Sequence, residues 1–334
     1  MKRLLIISII LLSGCINTRV EKNINFCSLS QEVVDENEII EKLWNQKITL
    51  KGGLSGAVVY KVTDGSGATY VFRNISHRSK EDKIREIHAH KIASKYGYGP
   101  QLYAYNIDKG KIVISFLENS NKIIDQQAQI FELANALRIM HNGPAFCDHL
   151  SIIDQTKALY DKINYYPEVI DKNKISNLIS KISSFKSYSK TPTHRDLNPN
   201  NIFFTKTGVK LIDFENAGQD DPFFDIASII IFYQYDHNAE ETFIKLYFGH
   251  GLSEEEYEHL ALMKKTVSLF YGLTLLSKLP YSQHSFDKPI PSLKEIFNKI
   301  ASGQFSLERE ENIMLLSLAF LLNAIDPNQP AGNK

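Results

Sequence analysis

Long apolar runs, cysteine, tryptophan and a surplus of charge are all scarce in this chain. Its 334 residues include three cysteines and one tryptophan, Trp44. The cysteines show no CxxC spacing, so nothing here suggests a thiolate metal site. Lys and Arg number 38 against 38 Asp and Glu. That balance gives no general attraction to nucleic acid, and no nucleic-acid partner is expected. There is no internal repeat and no low-complexity tract. What remains is 43% hydrophobic and 23% charged, the profile of a globular protein. At this length two lobes or domains are expected rather than one core.

The one strongly apolar stretch is at the start. Met1-Lys2-Arg3 is basic and Leu4 to Leu12 is apolar. The run is shorter than the roughly 20 residues that span a bilayer, and it fits a secretory signal over residues 1–15. The small residues before Cys15 resemble a bacterial lipoprotein box, in which that cysteine is lipidated after cleavage. The resemblance implies a membrane-anchored lipoprotein. An uncleaved N-terminal helix or a different start site is the alternative, with a cytoplasmic location. Residues 16–30 are polar and read as a tether. Cys27 and Cys147 could pair only if the protein is exported, and as isolated cysteines they read as buried thiols rather than as a bond.

Residues 31–118 have the pattern of a small N-terminal lobe. An acidic helical segment over Gln31 to Trp44 precedes strands at Ile48–Leu50, Ala57–Val62 and Thr69–Arg73. A glycine-rich bend, Gly52-Gly53-Leu54-Ser55-Gly56, joins the first two. A helix over Lys80–Tyr96 is stopped by Gly97, Gly99 and Pro100. Two more strands follow, Gln101–Asn106 and Lys111–Phe116. From residue 119 to 326 the pattern is mainly helical, interrupted by a hairpin of Ile202–Phe204 and Val209–Ile212.

Chemistry concentrates at the two ends of that hairpin. The approach reads Thr193-His194-Arg195-Asp196-Leu197-Asn198-Pro199-Asn200-Asn201, and the exit reads Leu211-Ile212-Asp213-Phe214-Glu215. Phosphoryl transfer needs a hydroxyl held in line and a divalent metal bridging the phosphates. An Asp on a tight loop can orient the hydroxyl and take its proton. An Asn five residues on, and a second Asp from the next strand, supply the hard oxygens that Mg²⁺ prefers. Asp196, Asn201 and Asp213 stand at that spacing.

This segment resembles the protein-kinase-like superfamily, and within it the choline kinase and aminoglycoside phosphotransferase branch. Glu215 stands where protein kinases have the glycine of DFG, and Ala217-Gly218 to Asp225-Ile226-Ala227 is similar to the branch's "AG…DP…DLA" segment. Gly52-Gly53-Leu54-Ser55-Gly56 looks like the "GGMSN" phosphate loop of choline kinases, and Gly99-Pro100-Gln101-Leu102-Tyr103 resembles their "LGPKLYG". The resemblance covers Ile48 to Leu279. It implies an α+β, bilobal kinase-like fold with an antiparallel-sheet N-lobe and a helical C-lobe, using ATP and Mg²⁺. In that reading Asp196 is the base, and Asn201, Asp213 and Glu215 serve the metal. Gly52, Gly53, Ser55 and Arg73 hold phosphates, Arg73 paired with Glu86. Ser115 and Leu117 lie at the adenine-binding hinge, while His194 and Asp225 brace the loop.

The implied acceptor is a small, cationic alcohol, choline or ethanolamine first, with thiamine and aminoglycosides behind. The late-helix tryptophans of choline kinases are absent. Tyr233, Tyr235 and Tyr271 are candidates for an aromatic box by cation–π attraction, although aromatics at helical spacing more often belong to a core. His141 reads as structural. A kinase-like scaffold without activity and a kinase acting on proteins are the rival readings.

Overall fold

The computed structural model describes residues 47–50, 57–63, 67–118, 125–185, 188–279 and 289–326. The expected tether, the acidic N-terminal segment, Cys15, Cys27, Trp44, Gly52, Gly53 and Ser55 lie outside these residues.

The first lobe is an antiparallel sheet of β1 (Lys47–Leu50), β2 (Val58–Thr63), β3 (Thr69–Asn74), β4 (Leu102–Asn106) and β5 (Lys111–Ser115), in the order β1-β2-β3-β5-β4. Val, Ile and aromatic residues dominate these strands, as a pleated, half-buried surface favours. Helix α1 (Lys80–Lys95) crosses between β3 and β4. Ser79 caps it by accepting from the Asp82 N–H at 3.1 Å, and Glu81 and Asp82 complement its dipole. In this lobe a glycine is required both by positive φ and by close approach to backbone. Gly110, in the β4–β5 turn, has φ 62°, and a Cβ there would meet the Ser76 nitrogen at 2.7 Å. The Ile75 N–H donates to the Gly110 carbonyl, fixing the end of β3 against that turn.

The remainder is helical: α2 (Gln126–His141), α3 (Ile152–Lys162), α4 (Lys172–Ser184), α5 (Pro222–Phe232), α6 (His237–Phe248), α7 (Glu254–Leu276), α8 (Leu293–Ala301) and α9 (Glu310–Ile325). Helix α5 is buried along its whole length, as its run of Ile and Phe dictates. A capping box of Ser253 and Glu256 starts α7, and α9 packs along it. Between α4 and α5 run two short ribbons: β6 (Thr191–Thr193) with β9 (Gly218–Asp220), and β7 (Ile202–Thr205) with β8 (Gly208–Leu211). The fold is α+β, with the sheet in one lobe and most helices in the other.

Cys147 corrects the expectation of a free thiol, since it is buried and disulfide-bonded.

Candidate active site

Strand β6 delivers the chain to His194, and β8 delivers it to Asp213. Both arrivals are bent. Arg195 has φ 63° and Asp213 φ 64°, left-handed values that cost a non-glycine residue roughly 1 kcal/mol or more each. Arg195 is held by what surrounds it. The carboxylate of Asp225, in α5, accepts from the N–H of His194 at 2.7 Å and of Arg195 at 2.8 Å. Its Oδ2 also meets His141 Nε2 at 3.1 Å, and His141 Nδ1 meets the Tyr247 hydroxyl at 2.7 Å. Burial works against the Asp225 charge, but His141 and these N–H donors hold its pKa below the usual carboxylate value. The Arg195 side chain is fully buried and donates to the Asn216 and Leu150 carbonyls, both at 2.7 Å, and to Asp220 at 3.1 Å. Burial lowers the His194 pKa, and its Nε2 meets the Ile212 carbonyl at 2.9 Å, one residue before Asp213.

Asp196, buried at 3% exposure, sits within this frame. Its Oδ1 accepts from Asn198 Nδ2 at 3.0 Å and from the Tyr271 hydroxyl at 2.9 Å. Its Oδ2 accepts from Asn201 Nδ2 at 3.0 Å. Burial raises its pKa to about 7, with the charge of Asp213 adding and the three donors opposing. A carboxyl titrating near neutrality suits a general base.

Facing Asp196 is a cluster of opposite charges. Arg73, in β3, reaches Glu86 of α1 at 2.7 Å, Asp213 at 2.6 Å and Glu215 at 3.4 Å. Arg78, just before α1, reaches Glu86 at 2.8 Å and also pairs with Glu215. The cluster thus joins the sheet lobe to the helical lobe across the Asp213 turn. Ser115 ends β5, where its hydroxyl accepts from the Gln101 N–H at 3.0 Å. Leu117 follows on the chain leading out of the sheet.

The structure does not bring the three tyrosines together. Tyr233 and Tyr235 lie against each other, centroids 6.0 Å apart, and Tyr235 also packs on Phe243. Tyr271 is fully buried among Phe232, Phe270 and Phe320. Among the described residues no ring contact joins it to that pair. Sequence reasoning missed Asn198, Arg78 and the hydroxyl of Tyr271 as groups of the site. Asn198 had a signal, two residues from Asp196 in the same loop; Arg78 and Tyr271 are placed by tertiary packing.

A family model described as the phosphotransferase enzyme family matches residues 48–262. The LicA homolog of Mycoplasma capricolum is 24% identical over 251 residues, 73% of this chain and 95% of that protein. Choline kinase LicA from Streptococcus pneumoniae has a similar structure, with a TM-score of 0.58 at 17% identity over 86% of this chain and 97% of that one. An aminoglycoside-3'-phosphotransferase of type VIII superposes with a TM-score of 0.51 at 17% identity, over 67% of this chain and 93% of that one.

Proposed function

The chain belongs to the phosphotransferase enzyme family, and from that premise we propose that it moves the γ-phosphoryl group of ATP to a hydroxyl of a small molecule. The observation that carries the reading is the convergence of Asp196, Asn201, Asp213 and Arg73 at one place between the lobes. In the proposed reaction the acceptor oxygen attacks the γ-phosphorus, its proton passes to Asp196, and the bond to the β-phosphate oxygen breaks to release ADP. Arg73, buried and paired with Glu86, offers a planar, permanently charged donor to the phosphates.

The donor set fits Mg²⁺. Among the described residues no cluster of three His, Cys, Asp or Glu forms a ready cage. Mg²⁺ commonly takes one or two carboxylates together with phosphates and water. Asp213 would hold it with the carbonyl oxygen of Asn201, whose amide nitrogen is already committed to Asp196. Glu215 would join them only on loosening its pairs with Arg73 and Arg78. Bound there, the ion would neutralise charge on the phosphates.

Choline and ethanolamine are the first acceptors to try, because a LicA homolog matches 73% of this chain and one structural neighbour is a choline kinase. The enclosed ring of Tyr271 leaves recognition of the cation to other groups. Thiamine and aminoglycosides come next. Release of ADP by purified protein lacking residues 1–15 tests the reading. Turnover of at least one alcohol is expected, with Asp196→Ala at least about a thousandfold slower, of the order that removing a central base costs. Equal rates for the two proteins would sink it.

We also propose membrane attachment through a lipid on Cys15, on the strength of the N-terminal sequence. Metabolic labelling with a fatty acid, lost in Cys15→Ser, is the expected outcome.

A further inference from the structure

An ionised carboxylate offers about four in-plane sites for hydrogen bonds. On Asp196 three are filled: two on Oδ1, by Asn198 and Tyr271, and one on Oδ2, by Asn201. One lone pair, on Oδ2, is left. The three donors have different anchors. Asn198 and Asn201 belong to the loop that carries Asp196, so they hold the carboxylate relative to the loop and move with it. Tyr271 belongs to α7, 75 residues further along. It alone of the three ties the carboxylate to the helical core.

The orientation of Tyr271 is set without Asp196. Its ring stacks on Phe320 of α9 at 5.6 Å and 22°, and meets Phe232 of α5 edge-on at 4.9 Å and 88°. Its phenol pKa is held far above neutrality by burial first and by Asp196 next, so the hydroxyl donates. An Asp χ2 torsion is soft and roughly two-fold, and a carboxylate held only by its own loop could turn about it.

We propose that Tyr271 is a positioning residue for phosphoryl transfer: by filling the second lone pair of Oδ1 it fixes the Asp196 plane so that Oδ2 alone receives the acceptor's proton. This deepens the phosphotransferase reading and rests on it. In the step concerned, the acceptor's O–H proton goes to Oδ2 as its oxygen bonds to phosphorus and ADP leaves with the electrons of the broken bond. Among the described residues, the charged groups whose fields reach Asp196 include Asp213, which opposes its charge, and Lys278 beyond the end of α7, which favours it.

Tyr271→Phe removes only the hydroxyl and preserves the ring packing. The expected result is a kcat at least tenfold lower, with KM for ATP and for the acceptor within twofold of wild type, because orientation is lost while binding is not. A kcat within twofold of wild type, or an equal rise in both KM values at unchanged kcat, overturns the proposal. Thermal melts of Tyr271→Phe, Asp196→Ala and the double variant form a second arm that needs no acceptor. The single changes in Tm are expected not to sum to that of the double variant; additive changes would mean that the two side chains are not coupled in solution. If wild type phosphorylates no alcohol in the panel, the phosphotransferase reading falls, and the melts alone decide whether Tyr271 holds Asp196.

Discussion

His90 and His194 flank the ring of Phe214 beneath the Asp213 turn, with centroid distances of 5.0 and 4.9 Å. His194 has its carbonyl partner, but neither nitrogen of His90 makes a hydrogen bond. Glu86 Oε1 lies 4.0 Å from its Nε2, beyond that reach. Burial first, then the charge of Arg73, pushes the His90 pKa down to about 3. An unfolded histidine titrates near 6.5. Between those values the unfolded chain binds more protons than the native one, so this residue makes stability fall as pH drops from about 6.5 towards about 3. His90→Leu removes both the proton linkage and an unmet polar group, whose burial costs about 1–3 kcal/mol. The variant is expected to melt higher than wild type, by a margin that widens from pH 8 to pH 5. A margin independent of pH would show that His90 does not titrate on unfolding.

At the scale of the element, α7 carries the contact to Asp196 and depends on how closely α9 approaches it. Gly272 makes that approach possible. A Cβ there would stand 2.8 Å from Leu321 Cγ and 3.1 Å from the Leu321 backbone nitrogen, and the Ser317 hydroxyl donates to the Gly272 carbonyl at 2.8 Å. Alanine is the better helix former by about 1 kcal/mol. Overpacking against backbone costs about 1–3 kcal/mol, and here it should win. Gly272→Ala is expected to lower stability in urea unfolding, and a gain would mean that α9 yields freely. The same helix shows what a sequence can and cannot reveal. Its capping box of Ser253 and Glu256 is a local device that a sequence can carry, whereas its end at Leu276 has no glycine to mark the place. The hairpin of β7 and β8, the sheet and the Asp196–Asn201–Asp213 grouping were all legible from strand alternation and loop spacing. The ribbon of β6 and β9 was not, since three residues are too few to show a period. Tyr271 was legible only as an aromatic at helical spacing. Its hydroxyl partner lies in another part of the chain.

At the scale of the whole molecule, the two lobes meet through buried charge. Glu86, Asp213 and Glu215 are three carboxylates held by two guanidinium groups, Arg73 and Arg78. Arg78 spans from the sheet lobe to Glu215 in the helical lobe, and all three side chains of its two pairs are nearly sealed from solvent. Removing one partner from such a cluster leaves carboxylate charge buried without compensation, a loss of about 3–5 kcal/mol where burial is complete. Arg78→Ala is therefore expected to lower stability by roughly 3 kcal/mol. It should also change the response to metal. In wild type the guanidinium groups already neutralise most of the charge that a divalent cation would find. In Arg78→Ala, Glu86 and Glu215 each lose a cationic partner, which raises the pull on a hard cation bound by oxygen. Millimolar Mg²⁺ without nucleotide should raise the Tm of Arg78→Ala by several degrees more than it raises that of wild type, as a ligand of the native state does. Ca²⁺ should act in the same direction, and an equal concentration of charge supplied as NaCl should not. Equal Mg²⁺ shifts in the two proteins would place the cation away from Glu215 and Asp213, and would remove Glu215 from the residues proposed to serve the metal.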